Sequence, residues 1–290
     1  MKEIQEKAYA KLNLSLDVTA RRPDGFHELV MLMQTVSVAD ELKLARTETG
    51  RVEATCSLHF IPTDERNLAV RAAREYLAEI GESGCGVSLH MEKHIPVGAG
   101  MGGGSADAAA VLRGMNRLFD DRLTRRELEA LACRIGSDVA FCVAGGSSLA
   151  KGRGEILQDL PPLPECCFVI VKPEFSISTP ELYRKLDSVT LRRHPDTAGL
   201  LQAMEQGDLR AVCRRMYNVF EDVPDRRMRT VGEIKGLLLD GGALAAMMTG
   251  TGSAVFGVFE RAEDAEKAQQ ALKKEYRFSA AARPVARYMD

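Results

Sequence analysis

Apolar and polar positions alternate with period two along residues 8–18. Ala8, Ala10, Leu12, Leu14, Leu16 and Val18 share one face, and Tyr9, Lys11, Asn13, Ser15 and Asp17 the other. This predicts a strand half-buried against a core, with Lys11 and Asn13 about 7 Å apart on its exposed face. Val87, Leu89 and Met91 alternate again. On such an extended segment His90 and His94 lie about 13 Å apart, too far to share a metal ion. Helical spacing takes over at 68–80, through Leu68, Ala72, Ala73, Leu77 and Ile80. It returns after a run of glycines, where Ala108, Val111, Leu112, Met115, Leu118 and Phe119 predict an amphipathic helix. Thr124 and Glu127 form a capping box for a further helix, which Gly136 stops, and Asp138 lies just past that stop.

Pro23, Asp24 and Gly25 mark a turn after the first strand. The proline-rich stretch 159–165 divides the chain into an N-terminal domain, 1–158, and a C-terminal domain, 165–290. Beyond it, Thr179-Pro180 reads as an N-cap followed by proline at the first helical position. Further helices are expected near 197–206, 208–217, 226–239 and 262–275. A second glycine loop, within 248–259, leads into a strand. Strands and helices thus mix in an α+β arrangement.

The length of 290 residues suits two domains sharing a cleft. Lys plus Arg number 39 against 41 for Asp plus Glu, without the basic excess of a nucleic-acid binder. No apolar run approaches the roughly 18 residues of a membrane span, and the charge-rich start has no signal-peptide core, so a cytoplasmic protein is expected. Seven cysteines without a C-x-x-C pair read as reduced thiols rather than a zinc or disulfide framework.

The chemistry concentrates in the glycines. Five of the seven residues 98–104 are glycine, Gly98, Gly100, Gly102, Gly103 and Gly104, and a helix follows directly. A helix N-terminus presents unpaired N–H groups and a partial positive charge, and glycines let a phosphate approach them. Ser105 adds a hydroxyl. A Walker P-loop is excluded because no Lys follows the glycines. A dinucleotide fingerprint matches by letters at Gly98, Gly100 and Gly103, with Asp120 or Asp121 as the acid. However, it falls about a hundred residues into the chain and its acid sits at a helix end. A glycine turn that holds no ligand is the bland third reading.

The segment PVGAGMGGGSADAAAVL (96–112) resembles the phosphate-binding motif of the GHMP kinase superfamily, and MTGTGSAVF (248–256) resembles its C-terminal glycine motif. The resemblance implies a two-domain GHMP kinase fold of α+β class with the active site in the interdomain cleft. It also implies transfer of the γ-phosphoryl group of ATP to an alcohol. AYAKLNLSLDV, RRPDGFHEL, RNLAVRAA, GSDVAFCVAGG and FSISTPELY resemble, in order, segments of the branch that acts on a cytidine diphosphate methylerythritol in non-mevalonate isoprenoid synthesis.

Carried onto this chain, the resemblance makes Asp138 the catalytic base and Lys11 its ion partner. Asn13 and His27 would contact the substrate, Phe26 and Tyr183 would sandwich the cytosine, and Thr179 would lie beside them. Gly102, Gly103, Gly104 and Ser105 would hold the ATP phosphates, with Pro96, Gly98, Gly100, Gly250 and Gly252 in the flanking nucleotide loops. Asn67 and Lys93 would border the adenosine. Magnesium is expected with ATP, Ser105 being its candidate ligand, and no nucleic-acid or membrane partner is implied. Two departures stand out: Ala140 replaces a common proline after the base, and Phe26 replaces a common tyrosine. The first frees a φ angle and the second removes a hydroxyl, but neither removes a reacting group.

Elementary chemistry points the same way. Phosphoryl transfer needs positioning and charge neutralisation, which an Asp near the acceptor hydroxyl and a Lys that keeps it ionised supply. Read alone, Lys11 has a bland alternative as a solvated strand lysine, and Asp138 as a cap or turn residue. The remaining alternatives are another GHMP kinase with a different alcohol and a catalytically silent ligand sensor of the same fold.

Overall fold

The computed structural model describes residues 3–288. Two long strands open the chain, β1 (Glu3–Arg21) and β2 (His27–Thr47), followed by β3 (Val52–Cys56), α1 (Leu68–Glu79) and β4 (Gly86–Glu92). Three helices come next: α2 (Gly103–Leu118), α3 (Arg125–Ile135) and the short α4 (Val139–Ala144). Strands β5 (Ser147–Gly152), β6 (Ile156–Asp159) and β7 (Cys167–Lys172) lead to α5 (Thr179–Leu186), α6 (Thr197–Glu205), α7 (Leu209–Arg215) and β8 (Tyr217–Asn218). The chain finishes with α8 (Met228–Asp240), β9 (Ala245–Met248), β10 (Val255–Phe259), α9 (Ala262–Leu272) and β11 (Phe278–Ala282).

Among the described residues these strands form a seven-stranded sheet, with β3-β4-β2-β1-β8 in order and β5 and β6 attached through β2, and a four-stranded sheet ordered β11-β7-β10-β9. One edge of β2 is lined by β1; the other is shared, β5 pairing with 29–34 and β4 with 41–47. The gap between them is filled from the far end of the chain. Val285 N donates to Thr35 O at 2.9 Å, and Ser37 N to Arg283 O at 3.0 Å. The stretch 159–165 begins on the last residue of β6 and runs on through the coil before β7, yet the C-terminal half returns to the first sheet twice, through β8 and through 283–288.

Three expectations change. The opening strand is buried on both faces: Lys11, Asn13, Ser15 and Asp17 are 5%, 0%, 2% and 6% exposed. Later segments cover that polar face, Thr249 hydrogen-bonding Asn13 and His194 pairing with Asp17, and no local pattern reports a covering so distant in sequence. Helix α2 is likewise not amphipathic in place. Its polar Asp107, Arg113 and Asn116 are buried with its apolar residues, because α1, α4 and β1 surround it. The cap of α5 is Ser178, whose hydroxyl accepts from Glu181 N, so Thr179 is the first helical residue. The capping box at Thr124 and the stop at Gly136 form as the residue types dictate. All seven cysteines are free, and no group of three or more His, Cys, Asp or Glu among the described residues could hold a metal.

Candidate active site

Bulges in β1 make the site. The β1–β2 register shifts between Tyr9 and Lys11 and again between Asn13 and Ser15. A bulge releases backbone groups from the ladder, and here Lys11 N donates to Met101 O while Asn13 N donates to Thr249 Oγ1, each at 3.0 Å. The two glycine motifs are thereby tied to one strand. They are also tied to each other: Ala254 N donates to Ala99 O, and a Cβ on Gly100 would meet Thr249 O at 2.3 Å, an approach only glycine permits. Gly102, at φ +70°, caps α2 and lies against the Lys11 stem, where a Cβ would meet Cγ at 3.2 Å. The first turn of α2 therefore opens its N–H groups beside a lysine, a geometry that favours anions.

Lys11 Nζ donates to Asn13 Oδ1 at 2.6 Å and lies 3.5 Å from Asp138 Oδ2. The lysine side chain is 6% exposed and the carboxylate 29% exposed, so the carboxylate reaches the open side of the pair. Asp138 sits at the N-cap position of α4 but makes no side-chain capping bond. Its carboxylate is left to face a cavity of about 830 Å³ rather than its own helix.

That cavity joins both ends of the chemistry. Lys11, Asn13, Asp138, Gly100, Gly102, Ser105 and Gly250 line one part, and Phe26, His27, Thr179 and Tyr183 another. Phe26 is half exposed, with the Arg153 guanidinium 3.8 Å over its ring centroid. Tyr183 packs one face on His27, at 4.6 Å, and edges against Phe220 at 4.9 Å. Burial pushes its phenol well above the ordinary tyrosine value. Thr179 Oγ1 meets Thr251 Oγ1 at 2.8 Å, linking α5 to the C-terminal glycine motif.

Several residues that line the cavity or hold its loops escape sequence reasoning. Asp187 holds His27 Nε2 at 2.7 Å and lies one helical turn past Tyr183, a spacing that could have pointed to it. Arg153 comes from the turn between β5 and β6, with no signal of its own. Asn218 Nδ2 donates to Met248 O and Gly250 O, both at 2.8 Å, and so shapes the second glycine loop from β8.

Other expected nucleotide residues do not line this cavity. Asn67 caps α1 through Ala69 N and donates to Pro62 O. Gly98 abuts Ser176, and Gly252 abuts Met248 and Ile177. Pro96 is half-buried and Gly104 exposed in the glycine segment, and Gly103 backs on Ile95. The Lys93 ammonium lies between the carboxylates of Asp40 and Asp107, its side chain 5% exposed, so only its backbone and outer edge are left for a nucleotide. Burial works against this ammonium, but the two carboxylates outweigh it and raise its pKa.

Comparison with known proteins gives the family. The descriptions of the GHMP kinase N-terminal and C-terminal domains match residues 67–146 and 200–277. A 4-diphosphocytidyl-2-C-methyl-D-erythritol kinase from Syntrophomonas wolfei is 45% identical, covering 93% of this chain and 94% of its own. A crystal structure of a 4-(cytidine 5'-diphospho)-2C-methyl-D-erythritol kinase superposes with a TM-score of 0.82 at 34% identity, over 97% of this chain and 99% of the other. A homoserine kinase from Cytophaga hutchinsonii shares the fold, with a TM-score of 0.77 at 20% identity over 100% and 96% of the two chains. With both halves matched and such identity along nearly its whole length, the chain belongs to the GHMP kinases, in the family of the 4-diphosphocytidyl-2-C-methyl-D-erythritol kinases.

Proposed function

We propose that this kinase transfers the γ-phosphoryl group of ATP to the 2-hydroxyl of 4-diphosphocytidyl-2-C-methyl-D-erythritol, in non-mevalonate isoprenoid precursor synthesis. One observation carries the reading. The Lys11–Asp138 pair stands in a single cavity between a glycine-opened helix N-terminus and a pocket walled by Phe26, His27 and Tyr183. Phosphate binding, proton acceptance and base stacking then each have a place along one substrate.

In this reading the ATP phosphates lie against Gly102, Gly103, Gly104 and Ser105, where the N–H groups and helix dipole of α2 favour them. The substrate hydroxyl lies beside Asp138. Its oxygen bonds to the γ-phosphorus as the bond from that phosphorus to the bridging oxygen of ADP breaks, leaving the electron pair on ADP. The hydroxyl proton passes to the Asp138 carboxylate, which Lys11 pairs at 3.5 Å. Lys11 also faces the charge that builds on the transferred group, the main term in this chemistry. Asn13 and His27 orient the alcohol, Asp187 fixing the His27 ring. The cytosine stacks on the faces of Phe26 and Tyr183 that Arg153 and His27 leave. The outer nucleotide walls would be Asn67, the backbone and outer edge of Lys93, Pro96 and Gly98, with Gly100, Gly250 and Gly252 in the glycine loops that flank the phosphates. Magnesium would come with the triphosphate, Ser105 offering its hydroxyl from the first turn of α2. We read the domains as 1–158 and 165–290 and place the enzyme in the cytoplasm. No described helix is long and apolar enough to cross a membrane.

A coupled ADP-release assay tests the substrate. Release should require the cytidine-diphosphate methylerythritol and stay at background with mevalonate, homoserine or galactose. Equal turnover of any of those three would refute the substrate assignment and leave the kinase chemistry standing.

A further inference from the structure

The short helix that carries Asp138 is held from its far end by the last described residues of the chain. The final carbonyls of a helix lack partners within it, and α4 is only six residues long. Gly145 N closes on Phe141 O, which leaves the carbonyls of Cys142, Val143 and Ala144 beyond the internal ladder. The Cys142 carbonyl accepts from Tyr288 Oη at 2.7 Å and from Arg113 Nη1 at 2.8 Å, and the Ala144 carbonyl accepts from Tyr288 N at 3.0 Å. Gly145, at φ +70°, bridges Arg287, and a Cβ there would meet the Tyr288 ring at 2.2 Å. The glycine is thus what lets this ring close on the helix.

Arg113 connects the grip to the rest of the site. Its guanidinium lies 4.5 Å over the Tyr288 ring, and its Nη2 donates to Lys7 O at 2.8 Å, four residues before Lys11 on β1. Arg113 itself belongs to α2, the helix opened by the glycine loop. Upstream of Tyr288, residues 283–285 fill the gap on β2 between β5 and β4. The tail leaves from β11 in the second sheet, so it ties that sheet to the back of the catalytic helix.

We infer that the C-terminal segment 283–288 is a positioning strap, in which Tyr288 sets α4, and through it the Asp138 carboxylate, at its working distance from Lys11. The inference rests on Asp138 being the base. Tyr288 meets the far end of α4, so it acts on the reaction through the helix and not on the substrate. A displacement on the order of 1 Å at a reacting group is enough to cost up to a hundredfold in rate.

The test compares Tyr288→Phe and Tyr288→Ala in the full chain, alone and combined with Asp138→Asn. Loss of one neutral hydrogen bond predicts a fall of about three- to tenfold in kcat for Tyr288→Phe, and loss of the ring more than about tenfold for Tyr288→Ala. The KM of either substrate and the Kd of ADP should stay within about twofold, because neither the glycine loop nor the aromatic pocket is touched. Single-turnover rates should show no added loss from Tyr288→Phe when Asp138 is already Asn. Should Tyr288→Ala fail to fold, Tyr288→Phe decides alone. A kcat within about a factor of 1.5 of wild type for Tyr288→Phe, or an equal loss in the Asp138→Asn background, would overturn the strap. Full activity of Asp138→Asn would instead overturn the assignment of the base, whatever the tail variants do.

Discussion

Lys11 and Lys93 flank the same glycine loop, and their side chains are equally buried, at 6% and 5% exposed. Their surroundings differ. Gly102 faces the Lys11 stem and Gly103 faces Ile95, with the Lys93 ammonium behind it. Lys93 is neutralised by two carboxylates, Asp40 and Asp107, and Asp40 also accepts from the backbone N–H groups of His94 and Ile95. Lys11 has a neutral amide, Asn13, at hydrogen-bond distance and a single, looser, part-exposed carboxylate, Asp138. One lysine belongs to a closed structural cluster that fixes where strand β4 hands over to the loop. The other keeps charge uncommitted toward a cavity. Burial alone does not distinguish a structural lysine from a functional one; the count of opposing charges does.

Within the cluster the two carboxylates are also unequal. Both oxygens of Asp40 are engaged, whereas Asp107 Oδ1 has no partner. Burial accordingly pushes the Asp107 carboxyl up to about 7, against the pull of Lys93.

The largest effect expected from breaking this contrast is on folding. Lys93→Met leaves two carboxylates buried without their cation, and loss of one partner of a buried pair costs about 3–5 kcal/mol. Lys11→Met should cost less than about 1 kcal/mol, because Asp138 keeps access to water. Urea denaturation of the two variants measures the difference, and equal losses would erase the distinction drawn between the lysines.

Catalysis should respond in the opposite sense. Asp138→Asn and Lys11→Met are expected to lower kcat by at least about a hundredfold, the scale of a lost general base or its partner. ADP affinity by calorimetry should stay within a few fold, since the proposed phosphate cradle is built on the backbone of α2 and not on these side chains. If Asp138→Asn kept more than about a third of wild-type kcat, Asp138 would be only a turn residue.

The smallest effect concerns pH. The Asp107 pKa lies near 7 in the folded state against 3.8 in the reference state. Between about pH 4 and 7 the folded state therefore holds a proton that the unfolded chain has released. The resulting stabilisation is complete at the acid end and is lost as pH rises toward 7. Asp107→Asn, which cannot titrate, should lack this gain. Its deficit relative to wild type should shrink from pH 5 to pH 7.5. A deficit that does not vary with pH would show that Asp107 stays ionised throughout.

Legibility in the sequence followed the range of the interactions concerned. The glycine loop, the helix it opens, the Thr124 capping box and the Gly136 stop rest on contacts a few residues apart, and each forms where the residue types place it. Phe26, His27, Thr179 and Tyr183 were found through motif resemblance and do converge on one cavity. Nothing near Lys93 in sequence reveals its ion partner Asp40, 53 residues away. Asp187 on His27 spans 160 residues, and Asn218 on the second glycine loop is supplied by a two-residue strand that no periodicity could announce.

By itself the sequence determined the α+β class, the glycine-opened helix start and the candidate reacting pair, because backbone geometry, glycine freedom and charge type act locally or through recognisable motifs. Only the tertiary structure decided which polar residues are buried, which lysine keeps its charge available, and that residues 283–288 close on the helix bearing Asp138. Those outcomes depend on which distant side chains desolvate and neutralise one another, and that is set by how the two sheets and their helices pack.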